Sequence, residues 1–67
     1  MTDTRKKFIK CTVKKTGKLI YINVDRVLSV YEDNNGETQI YIGGEYGDCY
    51  IVRESVSEVM RKINGDF

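Results

Sequence analysis

Residues 53–63, Arg-Glu-Ser-Val-Ser-Glu-Val-Met-Arg-Lys-Ile, constrain this chain more than any other stretch. Ser55 followed three residues later by Glu58 reads as a capping box. The hydroxyl accepts from the Glu58 amide and the carboxylate accepts from the Ser55 amide. Val56, Val59, Met60 and Ile63 recur at i, i+3, i+4 and i+7, the spacing of one helical face. Asn64-Gly65 supplies a stop. A helix is therefore expected over about 55–63. Its apolar stripe must be buried, and the preceding residues offer only short strands to bury it on.

Five strands are expected. Residues 8–14 alternate, with Ile9, Cys11 and Val13 on one face and Phe8, Lys10, Thr12 and Lys14 on the other. A turn at Lys15-Thr16-Gly17 leads into residues 18–24, which are apolar on both faces: Ile20, Ile22 and Val24 against Leu19 and Tyr21. Such a strand is expected to be covered on both sides. Asn23-Val24-Asp25 reads as a corner, because Asn and Asp bond their own backbone in turns. Residues 26–32 form the third strand, with Leu28 and Val30 expected inward. Asn35-Gly36 marks a hairpin into residues 37–42. A glycine-rich loop, 43–48, precedes the fifth strand at 49–52. Short connections favour antiparallel neighbours. The expected fold is α+β and mainly β: one strongly curved five-stranded antiparallel sheet, a partly open small barrel, with one C-terminal helix. Residues 1–7 are expected to be a disordered basic tail, and residues 8–64 one small domain.

A chain of 67 residues buries only a thin core. Below roughly 70–80 residues one core supplies about 3–5 kcal/mol, so small domains add a disulfide, a metal or a partner. Two cysteines, Cys11 and Cys49, allow one bridge at most, and with no histidine two thiols do not make an ordinary zinc site. Self-association is left as the expected aid. The first residues lack a secretory apolar core, and no run approaches the ~20 apolar residues of a membrane span. A cytoplasmic location, with reduced cysteines and no membrane partner, is expected.

The sequence offers little catalytic chemistry. Without histidine the commonest general base is absent. Cys11 and Cys49 fall inside strand patterns and read as small apolar fillers. Glu32, Asp33 and Glu37 bracket a hairpin tip, where solvated turn acids are commoner than a cation site. The loop 43–48 lacks the Gly-Lys-Ser/Thr of a phosphate cradle. No enzymatic activity, metal or cofactor is expected.

Charge says more. Residues 1–18 hold seven cations against Asp3, a net of +6. Residues 19–52 hold Arg26 against six acids, a net of −5, and residues 53–67 balance. This polarity suits a basic nucleic-acid surface at Lys10, Lys14, Lys15 and Lys18, electrostatic pairing of the two regions within or between chains, or edge-strand lysines that discourage aggregation. Four tyrosines, Tyr21, Tyr31, Tyr41 and Tyr50, lie in strands, where aromatics can stack bases or simply favour the strand. Tyr21 lies in the strand expected to be covered. Tyr46, in the loop, is expected to be exposed.

Several blocks together resemble the FlbD-like (SwrD-like) family of small bacterial proteins associated with flagella and swarming. They are Phe8-Ile9-Lys10-Cys11-Thr12, Gly17-Lys18, Tyr21-Ile22-Asn23-Val24-Asp25, Val27-Leu28-Ser29-Val30-Tyr31-Glu32 and, most specifically, the run from Val52 to Val59. The resemblance implies a non-enzymatic interaction or adaptor module, self-associating, with no catalytic residues to carry over. Its contact surface is expected at the loop 43–48 and the outer faces of the last two strands, through Tyr41, Glu45, Tyr46 and Tyr50. The alternative is a small-barrel nucleic-acid-binding protein using the basic first hairpin.

Overall fold

Alternation of apolar and polar residues builds two hairpins, and the capped stripe builds the helix that joins them. A computed structural model describes residues 7–43 and 48–65. The elements are β1 (Phe8–Thr12), β2 (Leu19–Asn23), a 3-10 turn (Val24–Arg26), β3 (Val27–Glu32), β4 (Thr38–Ile42), β5 (Asp48–Val52) and α1 (Val56–Asn64). Residues 1–6 of the expected tail, and Glu45 and Tyr46 of the expected contact loop, lie outside the described residues. Among the described residues, no helix is long and apolar enough to cross a membrane.

The expectation of one curved sheet is corrected. β1 and β2 form a two-stranded antiparallel sheet; β3, β4 and β5 form a three-stranded one in that order. Among the described residues the two do not close into a barrel: Val13, one residue past β1, meets Val52 of β5 at one isolated bridge. Two local features explain the split. Asn23 caps the 3-10 turn by accepting from the Asp25 amide at 3.0 Å, which swings the chain out of the first sheet before β3 begins. On the other side the edge of β1 is taken up mainly by the β5–α1 junction rather than by a ladder, as described below.

The β3–β4 turn is built on Asp33. Its carbonyl accepts from the Gly36 amide and its Oδ1 from the amides of Asn35 and Glu37. Gly36 alone takes positive φ (78°), so the turn uses one left-handed residue rather than the two of a mirror-image turn. Glu37, expected in the fourth strand, belongs to this turn.

The core lies between the sheets and under the helix. Ile9, Cys11, Ile22, Ile40, Val52 and Val59 are buried, with Ile20, Val24, Val27, Val30, Ile42 and Ile63 packed around them. The capping box is present in both directions, and Gly65 (φ 71°) closes the C-terminus by donating to the carbonyls of Arg61 and Lys62. Val59 carries the stripe; Met60 sits at its rim, partly exposed.

Four side chains differ from expectation. Leu28 faces outward, 66% exposed, because the β3–β4 register shifts between Val27 and Ser29 and makes it the extra residue of a bulge. Val27 and Val30 take the inward positions. Leu19 and Tyr21 on the second face of β2 are uncovered, at 58% and 67% exposure. Cys49 is exposed on β5, whereas Cys11 is fully buried as a filler.

A core this small tolerates little loss. Ile40→Ala should remove about 2–5 kcal/mol, comparable to the whole expected stability, while Leu19→Ala should change it by less than about 0.5 kcal/mol. Urea titration followed by circular dichroism distinguishes them: the first variant largely unfolded without denaturant, the second with an unchanged midpoint.

Candidate functional site

The edge of β1 is where strand, junction and helix meet. The alternation that points Ile9 and Cys11 into the core leaves the backbone groups of Thr12 facing away from β2. The Glu54 carboxylate receives them, accepting from the Thr12 amide at 2.9 and 3.1 Å and from its hydroxyl at 3.0 Å. The Thr12 carbonyl accepts from the Arg53 amide, and the Ile51 carbonyl accepts from the Lys14 amide, both at 2.9 Å. Lys62 of α1 donates to the Lys10 carbonyl at 2.6 Å, and the Arg53 guanidinium reaches the Lys14 carbonyl. Partial burial raises the Glu54 pKa, but the Thr12 bonds, a bond from its own backbone and nearby Lys62 outweigh this and hold the carboxyl below its ordinary value. The cluster ties three elements together.

The cysteines divide in the same way. Burial, and then the Glu54 charge, push the Cys11 thiol up to about 11, so it carries almost no thiolate near neutral pH. Cys49 Sγ lies 2.9 Å from Gln39 Oε1 on the outer face of the second sheet. Gln39 also accepts from Tyr31 Oη at 3.0 Å and donates to Asp33 Oδ2 at 2.6 Å. That bond, first among several, holds the Asp33 carboxyl below its ordinary value. Two of the three turn acids are thus engaged, Asp33 as above and Glu37 with Lys14 Nζ at 2.9 Å. Among the described residues no group of three potential ligands could hold a metal.

Of the expected contact residues, the two that are described, Tyr41 and Tyr50, do not share a face. Tyr41 is opposite Cys49 and Tyr50 opposite Ile40, so Tyr41 faces outward and Tyr50 faces the core side. Tyr50 lines a 370 Å³ cleft between the sheets with Ile20, Ile22, Arg26 and Ile42. The four lysines also separate. Lys10 stands on the outer face of the first sheet, Lys14 is paired with Glu37, and Lys15 and Lys18 flank the β1–β2 turn.

Among the described residues two open surfaces remain. One is the free edge of β5. Alternate residues of a strand direct backbone groups to the same side, so Cys49 points its amide and carbonyl the way Ile51 and Arg53 point theirs toward β1. The first hairpin turns away after Lys14, where Gly17 donates to the Val13 carbonyl. An apolar groove of 560 Å³, lined chiefly by Val13, Lys15, Cys49, Tyr50 and Ile51, runs along this edge. The other surface is the outer face of β1–β2, with Phe8, Lys10, Leu19 and Tyr21. Sequence reasoning missed both the edge and Glu54. The free edge depends on where the first hairpin turns, and Glu54 read only as the lead-in to the helix.

Glu54 sets a pH dependence. Its folded pKa lies below the unfolded value of about 4.3, so its contribution is complete above that value and is lost as pH falls through the folded pKa. Glu54→Gln should cost about 1–2 kcal/mol at neutral pH and should flatten the loss of stability on acidification. Chemical denaturation at a series of pH values measures both; an unchanged midpoint and slope would contradict this role.

Compared with family models, with curated proteins and with solved structures, the chain finds no match.

Proposed function

We propose that the chain is a small non-enzymatic interaction module that pairs with a second copy of itself along the free edge of β5. The observation that carries this reading is the edge itself. Four of the five β5 residues are exposed, and the apolar groove beside Cys49, Tyr50 and Ile51 has the place and lining for an added strand. Strand addition takes its affinity from main-chain hydrogen bonds and its selectivity from alternate side chains. Charge favours a second copy as the occupant. Asp48 begins β5, and Lys15 lies by its other end, beside the Lys14–Glu37 ion pair. An antiparallel pair would lay the Asp48 end of each copy against the lysine end of the other. The thin core makes such a partner useful to stability.

The resemblance to the FlbD-like family supports a setting for the module: a bacterial cytoplasmic assembly linked to flagella or swarming. It also supports a binding role over a catalytic one, as does a fully buried Cys11 thiol held protonated.

Sedimentation equilibrium at micromolar concentration tests the pairing. The natural chain should sediment as a dimer, and Ile51→Lys, which places a cation in the groove on an exposed position, should sediment as a folded monomer. A natural chain that stays monomeric at about 100 µM, far above a micromolar Kd, would overturn the reading.

A further inference from the structure

We infer that the outer face of the β1–β2 hairpin is a platform for single-stranded nucleic acid, with Tyr21 and Phe8 as base-stacking rings and Lys10 as the phosphate contact between them. The hairpin register places these groups together. Lys10 is directly opposite Tyr21, and Phe8, opposite Asn23, lies on the adjoining diagonal. Ile9, Cys11 and Ile22 fill the core side, so this face points away from the core. Tyr21 is 67% exposed and Phe8 52%, an unusual investment of two aromatic rings on one side of a two-stranded sheet.

Charge names the occupant. Residues 7–23 contain five lysines and no acid. Among the described residues two acids from elsewhere bond to this hairpin, Glu37 to Lys14 and Glu54 to Thr12. A face that combines two exposed rings with Lys10, and has Lys15 and Lys18 at its turn end, fits a polyanion whose bases are unstacked and available. A duplex hides its bases, and its phosphates would leave the rings unused. An acidic protein segment satisfies the lysines without needing two flat rings. Phe8 and Tyr21 also border the cleft that Tyr50 of β5 lines, whereas the proposed self-association runs beside Cys49 and Ile51, so the two are tested separately.

Fluorescence anisotropy with the full chain tests it, using labelled oligo(U), oligo(dT) and a duplex, each about 12 units long, at about 50 and about 200 mM salt. Both single strands should bind more tightly than the duplex, and a preference between them identifies RNA or DNA as the target. Tyr21→Ala should weaken binding about tenfold. Tyr21→Leu should weaken it similarly, since it keeps apolar bulk on the strand but removes the ring. Lys10→Ala should lower the log–log salt slope by about 0.7. Absence of binding at the lower salt would overturn the proposal. So would duplex binding as tight as single-strand binding, or Tyr21→Leu binding like the natural chain. Loss of self-association in Tyr21→Ala, with no oligonucleotide bound by the natural chain, would reassign the face to a protein contact.

Discussion

One carboxylate sits at the seam between the two sheets and the helix. Glu54 takes the amide and hydroxyl of Thr12 at the point where two small sheets and a nine-residue helix must be held together. Neither sheet is stable alone, since a two-stranded hairpin is marginal in water and a third strand adds little without a covered face. One bridge between β1 and β5 is a weak seam. Bonds from the Thr12 amide and hydroxyl to a carboxylate strengthen it, because charge-assisted bonds contribute about twice as much as neutral ones. The position also fixes the helix. Glu54 precedes the Ser55 cap by one residue, so the bond that holds β1 also sets where α1 begins and which face Val59 presents to the core.

The same arrangement decides what is left open. The junction satisfies the edge of β1 from Lys10 to Lys14, and the hairpin then turns away. The start of β5 is therefore without the neighbour that its end possesses. On the opposite side, the helix and second sheet fill the core face of β1–β2 and nothing in the described chain covers Phe8, Leu19 and Tyr21. One open surface is rich in backbone groups and the other in rings and lysines. Chemically they suit different partners, a strand and a polyanion.

Much of this was legible in the sequence where the signal is local. The capping box, the Gly65 stop, the Asn23 corner and the Asp33–Gly36 turn each depend on a few adjacent residues, and each forms. The alternation of β1 correctly separated Ile9 and Cys11 from Phe8 and Lys10. What failed was non-local. A bulge at Leu28 inverts its facing without changing composition, since one extra residue shifts the period of two. Whether β2 and β3 share a sheet depends on the angle at which the 3-10 turn leaves. Cys49 and Cys11 have similar sequence neighbours and opposite burial, because Cys11 points into the core between the sheets and Cys49, opposite Tyr41, points to the outer face of the second sheet. The contact set Tyr41 and Tyr50 was split by the pleat, as the register with β4 puts them on opposite faces.

Amide hydrogen exchange at Thr12 tests the central claim most directly. If the Glu54 clamp is the seam of the molecule, the Thr12 amide opens only when the whole chain unfolds, and its protection should match that of the fully buried Ile40 in the middle of the second sheet. Exchange at Thr12 orders of magnitude faster than at Ile40, under conditions where the chain is folded, would show that the sheets part locally and that the carboxylate does not hold them.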